Sequence, residues 1–458
     1  MPTQYDAVII GTGQSGPPLA GRLTSAGMRV AIVERKRFGG TCVNNGCIPT
    51  KTLVASAKAI QMARRGAEFG FRSGPVTVDM KEVKARKDRI VANNTQSVES
   101  WVRKMQNATV YQGHARFESA RTVRVGNEVL EAGKIFIDVG GRAAKPAVHG
   151  LESVEFLNNS SMMDVDFLPP HLVILGGSYI GLEFGQMYRR FGSEVTIIER
   201  SEHLLSREDP DICDAVRQIV EGEGIHVVTS AEVRQVEKQA GQIAVKVSIN
   251  GEPNEIHGSH LLIAAGRVPN TEDLGLDRAG VATDSRGYIE VDDQLRTNVP
   301  GIWAMGDCNG RGAFTHTSYN DFEIVAANLL DNDPRRVSDR ILAYNVYIDP
   351  PLGRAGMTER DVRKSGRKAL IGTRAMTRVG RAVEKGESQG FMKVLVDAES
   401  KLVLGASLLG VECDEVIHCL LDLMYAKAPY TVMQRAVHIH PTVSELVPTM
   451  LGEMKPLE

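Results

Sequence analysis

The chain has 458 residues, 45 of them glycine, with aromatics at only 5% and a formal net charge of −2. That length exceeds one ordinary core and suggests about three domains at roughly 150 residues each. The near-neutral charge leaves no footprint for nucleic acid or an anionic membrane, and no apolar run approaches a bilayer span.

The N-terminus, Met1-Pro2-Thr3-Gln4-Tyr5-Asp6, runs into a strand without a signal-peptide pattern, so a cytoplasmic location is expected. Six cysteines in a cytosolic chain of this length do not form a disulfide framework, and a disulfide here is expected to be catalytic. The first strand reads as Ala7-Val8-Ile9-Ile10. It enters Gly11-Thr12-Gly13-Gln14-Ser15-Gly16, then a helix to about Ala26 and a strand, Val30–Val33, ending at Glu34. This is a βαβ start with a tight-turn, a close-approach and a packing glycine and a terminal acid. Pro17 falls in the first helical turn, where backbone N–H groups have no intrahelical acceptor; Pro18 fits less easily.

Cys42 and Cys47 follow in Gly39-Gly40-Thr41-Cys42-Val43-Asn44-Asn45-Gly46-Cys47-Ile48-Pro49-Thr50-Lys51. Half of a zinc site and two buried thiols are the plain readings. A zinc site needs two more ligands; Cys413 and Cys419 lie in ordinary helix, and Cys213 and Cys308 are isolated. The favoured reading is a redox pair at a helix start, where the macrodipole lowers a thiolate pKa, with no metal bound. Residues 79–105 read as a long helix whose stripe of Val83, Ile90, Val91, Val98, Trp101 and Val102 faces the core.

The βαβ pattern then repeats. Strand 172–175 enters Gly176-Gly177-Ser178-Tyr179-Ile180-Gly181, and strand 195–198 ends at Glu199, 23 residues after Gly176, as Glu34 is 23 after Gly11. Two matched fingerprints predict two dinucleotides, their pyrophosphates on helix N-termini and their adenosine riboses on Glu34 and Glu199. Glu199 repels a 2′-phosphate and favours NADH, while Arg200 keeps NADPH possible. Ser178 replaces the close-approach glycine with a small side chain able to donate to phosphate. From about residue 336 the chain reads as a separate α+β domain, with a strand at 391–396 and a helix at 413–427. Near the end, His440 with Glu445 five residues on, across Pro441, makes a candidate base-and-orienter pair; His438 is read as structural.

Together these residues resemble the flavoprotein pyridine nucleotide–disulfide oxidoreductases, over essentially the whole chain. That group includes dihydrolipoamide dehydrogenase, glutathione reductase, mercuric reductase and the reactive-chlorine-resistance flavoproteins. The resemblance implies an α/β fold: two Rossmann-like dinucleotide-binding domains plus a C-terminal α+β dimerisation domain. The implied division is an FAD domain over 1–150 and 269–335, an NAD(P)H domain over 151–268 and a dimerisation domain over 336–458. It implies FAD and NADH as cofactors and Cys42–Cys47 as the active disulfide, with Cys47 facing the flavin and Cys42 meeting substrate. Thr41 belongs to the same motif. Lys51 is placed near the flavin and paired with Glu183. Asp307, in Ala304-Met305-Gly306-Asp307, binds the ribityl chain. His114 and Ala115, in 113–117, hold the adenine, and Gly266, in 265–270, marks the return from the NAD domain. His440 and Glu445 match a dyad supplied by the partner subunit, which implies a homodimer.

Departures are Asp138-Val139-Gly140, where Ala-Thr-Gly is usual, and Ser178, which leans toward mercuric reductase, as 314–322 leans toward the reactive-chlorine branch. A full mercuric reductase would add an N-terminal metal-binding domain and a C-terminal cysteine pair. The expected activity is NADH-driven reduction of a metal ion or oxidised sulfur compound. Dihydrolipoamide or a small disulfide is the alternative. A docked, non-catalytic flavoprotein subunit and a flavin oxidase are the readings from other classes.

Overall fold

The computed structural model describes residues 1–458. Its first layer is a parallel sheet built around strand Thr3–Ile10, whose last four residues, Ala7–Ile10, are buried. An unbroken apolar run is what a strand covered on both faces requires. Val30–Glu34 pairs along one edge (Ala7 with Val30), followed by Ala108–Gln112; Glu128–Ile137 pairs along the other (Ile9 with Phe136). Strand Ile302–Ala304 joins Ile135–Ile137 in parallel, so this sheet is completed only after the chain has built the next one. The near end of Glu128–Ile137 continues into an antiparallel ribbon with Thr122–Val125 and Ala115–Phe117.

The second layer repeats the theme with four parallel strands in the order His226–Val228, Glu194–Ile198, His171–Leu175, His260–Ile263. A three-stranded antiparallel sheet, 231–258, shares its core through Val173, Ile198, Val236 and Val245. The third layer is a six-stranded antiparallel sheet covering 343–456, with helix Cys413–Tyr425 packed on it through Val416, Ile417 and Leu420. The architecture is therefore mixed α/β, two dinucleotide-type units followed by an antiparallel-sheet domain.

Helix Gly16–Ser25 carries Pro17 and Pro18 inside its first turn, so neither proline removes an intrahelical bond. Helix Met80–Lys104 is capped by Asp79, whose carboxylate accepts the Lys81 N–H at 2.9 Å and the Glu82 N–H at 3.3 Å. Its stripe differs from the expectation at two places. Trp101 is 48% exposed, because it falls one residue, about 100°, off the face carrying Val91, Val98 and Val102. Lys87 lies on that face, 4% exposed, and its ammonium donates to the Met163 carbonyl at 2.7 Å.

The second and third layers are joined by Lys393, a buried residue of strand Phe391–Asp397. Its ammonium donates to Asp209 at 3.1 Å, Asp211 at 2.8 Å and Glu359 at 2.7 Å. Those three carboxylates lie close enough to hold a metal ion, but the chain's own cation fills the space between them.

Candidate active site

The first glycine loop is shaped by contacts that leave no room for side chains. A Cβ on Gly16 would lie 2.4 Å from the Gly11 carbonyl oxygen, and one on Gly40 would lie 2.9 Å from the Gly13 Cα. Glu34, at the end of the second strand, is fixed by Thr12, whose N–H and hydroxyl donate at 3.1 and 2.6 Å, and by the Lys36 N–H at 2.7 Å. From Glu34 a cavity of about 1170 Å³ runs past Gly11, Gly13, Thr41 and Asp307 to Cys42, Cys47 and Lys51. Gly113, His114 and Ala115 line it near Glu34, and His114 Nε2 lies 3.1 Å from the Asp273 carbonyl oxygen. Its volume exceeds the roughly 300–1,000 Å³ of most small-ligand sites. A backbone cradle at a helix start, an acid for a ribose and a long cleft together fit an FAD.

The thiols line this cavity, Cys42 half-buried and Cys47 exposed. Gly40–Asn44 forms one short helical turn, and Cys47 opens helix Cys47–Arg64. Pro49 is its third residue, still where a missing N–H costs nothing. Both cysteines are free thiols. The Cys47 thiol is pulled down to about 6 by the hydrogen bond from Cys42, then by the Thr315 hydroxyl and the Lys51 ammonium, against desolvation by the surrounding protein. The Thr315 hydroxyl lies 3.0 Å from the Cys47 sulfur. Cys42 is pushed up, because ionising it removes that hydrogen bond and adds a like charge beside Cys47. The pair thus holds one proton on Cys42 and a thiolate on Cys47.

Lys51, one turn after Cys47, donates to Glu183 Oε2 at 2.8 Å, and its ammonium sits 4.6 Å from the Tyr347 ring centre. Glu183 is 3% exposed, and its other oxygen accepts the Tyr347 N–H at 3.0 Å. This bond ties the thiol helix to helix Tyr179–Phe191 of the second unit.

The second glycine loop repeats the first: a Cβ on Gly181 would lie 1.9 Å from the Gly176 carbonyl oxygen. Glu199 accepts the Gly177 N–H at 2.7 Å and the Ser201 N–H at 2.8 Å, as Glu34 is held by its own loop. Ser178 caps helix Tyr179–Phe191 by position, with its hydroxyl making no capping bond. Gly176, Ser178, Glu199 and Gly266 lie outside the cavity wall, whereas Tyr179, Ile180 and Glu183 line it. Only the helix that follows the second loop, and not the loop itself, reaches this cavity.

His440 and Glu445 form their pair, with Nδ1 2.9 Å from Oε2, but lie outside the cavity of their own chain. The His440 side chain is 79% exposed, amid Val437 and Ile439, which are 99% and 81% exposed. Sequence reasoning missed Thr315 and Tyr347, which reach the thiols and Lys51 from 268 residues beyond Cys47 and from strand-adjacent loop, respectively. Thr315 lies in the stretch 314–322 singled out in the sequence, the signal that could have found it, whereas no local pattern marks Tyr347; only the tertiary fold brings them to the site.

The chain is similar to known proteins along nearly its whole length. The family model described as pyridine nucleotide-disulphide oxidoreductase matches residues 5–321, and the dimerisation-domain model of the same name matches 342–451, which supports a homodimer. A probable pyridine nucleotide-disulfide oxidoreductase, RclA, of Escherichia coli K12 is 36% identical over 99% of this chain and 100% of its own. A dihydrolipoyl dehydrogenase of Thermus scotoductus is 32% identical over 96% of this chain and 95% of its own. A mercuric reductase of Lysinibacillus sphaericus is 30% identical over 95% and 82%. Among solved structures, the HOCl-induced flavoprotein disulfide reductase RclA from E. coli superposes with a TM-score of 0.90 at 35% identity, covering 98% of this chain and 99% of that one. Its Cu(II) complex superposes at 0.91, at 35% identity and the same coverage.

Proposed function

The chain belongs to the pyridine nucleotide-disulphide oxidoreductase family, as an FAD flavoprotein enzyme using a pyridine nucleotide, and from that premise we propose that Cys42 and Cys47 pass its electrons to a metal ion or an oxidised sulfur substrate. The observation that carries this reading is the Cys47 thiol, lowered by Cys42, Thr315 and Lys51, in the wall of the cofactor-sized cavity. Bound FAD would supply hydride-accepting and two-electron-donating chemistry between a nicotinamide and the Cys42–Cys47 pair. Gly11, Gly13, Gly16, Glu34, Thr41, His114, Ala115 and Asp307 would hold it; Gly176, Ser178, Gly181, Glu199 and Gly266 belong to the nucleotide side. The fixed Glu199 carboxylate favours NADH.

Reduction opens the S–S bond with uptake of two electrons and one proton, leaving the proton on Cys42 and a thiolate on Cys47. Lys51, anchored by Glu183, balances that thiolate. Cys42 then meets substrate, and His440 of the partner subunit takes its proton on Nε2 while Glu445 of the partner subunit holds Nδ1. Two electrons reduce one Hg(II), two Cu(II), or one S–S bond. Thiolates suit soft cations, and the Cu(II) complexes of the E. coli relative and the mercuric reductases point to a metal ion first. The dihydrolipoyl dehydrogenase relatives favour lipoamide as the second reading. The reading places the enzyme in the cytoplasm.

The test is anaerobic NADH titration followed by turnover with Hg(II), Cu(II), lipoamide and glutathione disulfide. Turnover with a metal ion, lost in Cys42→Ser while FAD stays bound, is the expected outcome. Rapid lipoamide turnover would displace the metal reading, and full turnover in Cys42→Ser would refute the thiol route.

A further inference from the structure

The residue after strand Glu128–Ile137 is Asp138, where the resemblance leads to an alanine, and nothing above uses its side chain. It is 5% exposed and wedged between both halves of the flavin cradle. Its Oδ2 accepts the Gly16 N–H at 2.8 Å. A Cβ on Gly13 would lie 2.8 Å from Oδ2, and one on Gly306 would lie 3.2 Å from Oδ1. Asp138 forms no ion pair. The titratable groups facing it are Asp307, which pairs with Arg267 at 3.1 Å, Asp321, which pairs with Arg340, and the Cys308 thiol. The glycine loop and its helix offer only backbone and the Ser15 hydroxyl, which is directed to Ser318. Both acidic neighbours are matched by their own arginines, so no cation remains for Asp138. Burial, then Asp307 and Asp321, push its carboxyl up to about 8, against the N–H groups of Gly16 and Ser15.

The N-terminus of helix Gly16–Ser25 is the positive end that draws a pyrophosphate. An ionised Asp138 claims the same end from the protein side, and in a dry interior the two anions repel strongly. We propose that Asp138 couples FAD retention to one proton: the carboxyl is protonated while the cofactor is in place, the proton comes from solvent, and ionisation at alkaline pH weakens the cofactor's hold. Below the titration of the empty cradle, the carboxyl is neutral with or without FAD, and affinity does not vary with pH. Above it, binding takes up a proton, and the dissociation constant rises by up to about tenfold per pH unit. The coupling rests on FAD occupying the first glycine loop.

Holoenzyme is diluted into buffers of constant ionic strength from pH 6.5 to 9.5 (a chosen range of about three units), and FAD in the ultrafiltrate is measured by absorbance. Wild type should hold FAD evenly up to about pH 8 and lose affinity above it. Asp138→Asn and Asp138→Ala should hold it evenly throughout. A flat wild-type profile, or the same slope in the variants, overturns the coupling. Should neither variant fold, wild type decides alone: calorimetric FAD rebinding above pH 8 in two buffers of different ionisation heat counts the protons taken up, and a count of zero overturns it. A protein purified without flavin, and taking none up at any pH, would instead sink the cofactor assignment itself.

Discussion

The Cys47 thiolate is favoured first by the hydrogen bond from Cys42 and then by Thr315 and Lys51, while desolvation works the other way. A thiol lowered to about 6 is ionised above that pH and protonated below it. In the two-electron-reduced enzyme the long-wavelength thiolate–flavin absorbance should therefore persist through neutral pH and fade on acidification, with a midpoint near pH 6. Removing one donor to a charged acceptor costs about 1.5–3 kcal/mol, or about one to two pKa units. Thr315→Val should accordingly move the midpoint of that band upward by about one unit while FAD remains bound. An unmoved midpoint would mean that Cys42 and Lys51 suffice. Thr315 is also a residue whose contact sequence does not announce, although the stretch 314–322 that holds it stands out. Cys42, Cys47 and Lys51 declare themselves by spacing, but the hydroxyl that meets Cys47 comes from a different helix, Thr315–Ala326.

Between elements, the link that matters most to the site is Lys51 to Glu183, joining helix Cys47–Arg64 to helix Tyr179–Phe191. Glu183 is 3% exposed, so Lys51→Met leaves a buried carboxylate with only the Tyr347 N–H. Losing one partner of a fully buried pair costs about 3–5 kcal/mol. Lys51 is 33% exposed, which discounts the cost to about 2 kcal/mol. The thermal midpoint, followed by flavin release, should fall by a few degrees in Lys51→Met and recover in Lys51→Met/Glu183→Gln. Failure of the double variant to recover would assign the loss to the contact of the Lys51 ammonium with the Tyr347 ring. Both βαβ units are legible in the sequence because strand, glycine turn and terminal acid are contiguous, and the same physics holds Glu34 and Glu199 to their loops. The long helix is legible in its extent but not in its face. An apolar count selects Trp101, whereas the geometry of 3.6 residues per turn selects Lys87, whose ammonium finds a carbonyl.

At the scale of the molecule, each chain carries a thiol site and, elsewhere on its surface, an exposed His440–Glu445 pair with no thiol beside it. If the two meet only across a dimer, complementary defects should cancel. Cys42→Ser and His440→Ala are each expected to be nearly inactive as homodimers. Unfolded together and refolded, a random mixture should regain about a quarter of wild-type turnover, since half the dimers then hold one intact site of two. No recovery, with mixed dimers verified by mass, would place the pair's proton transfer within one chain.

The Lys393 ammonium among Asp209, Asp211 and Glu359 stands where a free cation could otherwise sit. Carboxylates in such proximity could otherwise gather a divalent cation. A tethered lysine supplies a counter-charge that cannot diffuse away or be chelated, so a free cation must compete with an intramolecular partner. Lys393→Met should vacate the cage, whose oxygens lie within 4.8 Å of one another, and Mn(II) should then raise the thermal midpoint of the variant and leave wild type unchanged. Equal responses would show that the three acids part company once their lysine is gone. Charge at this seam is thereby balanced by the chain itself rather than by an ion drawn from solution.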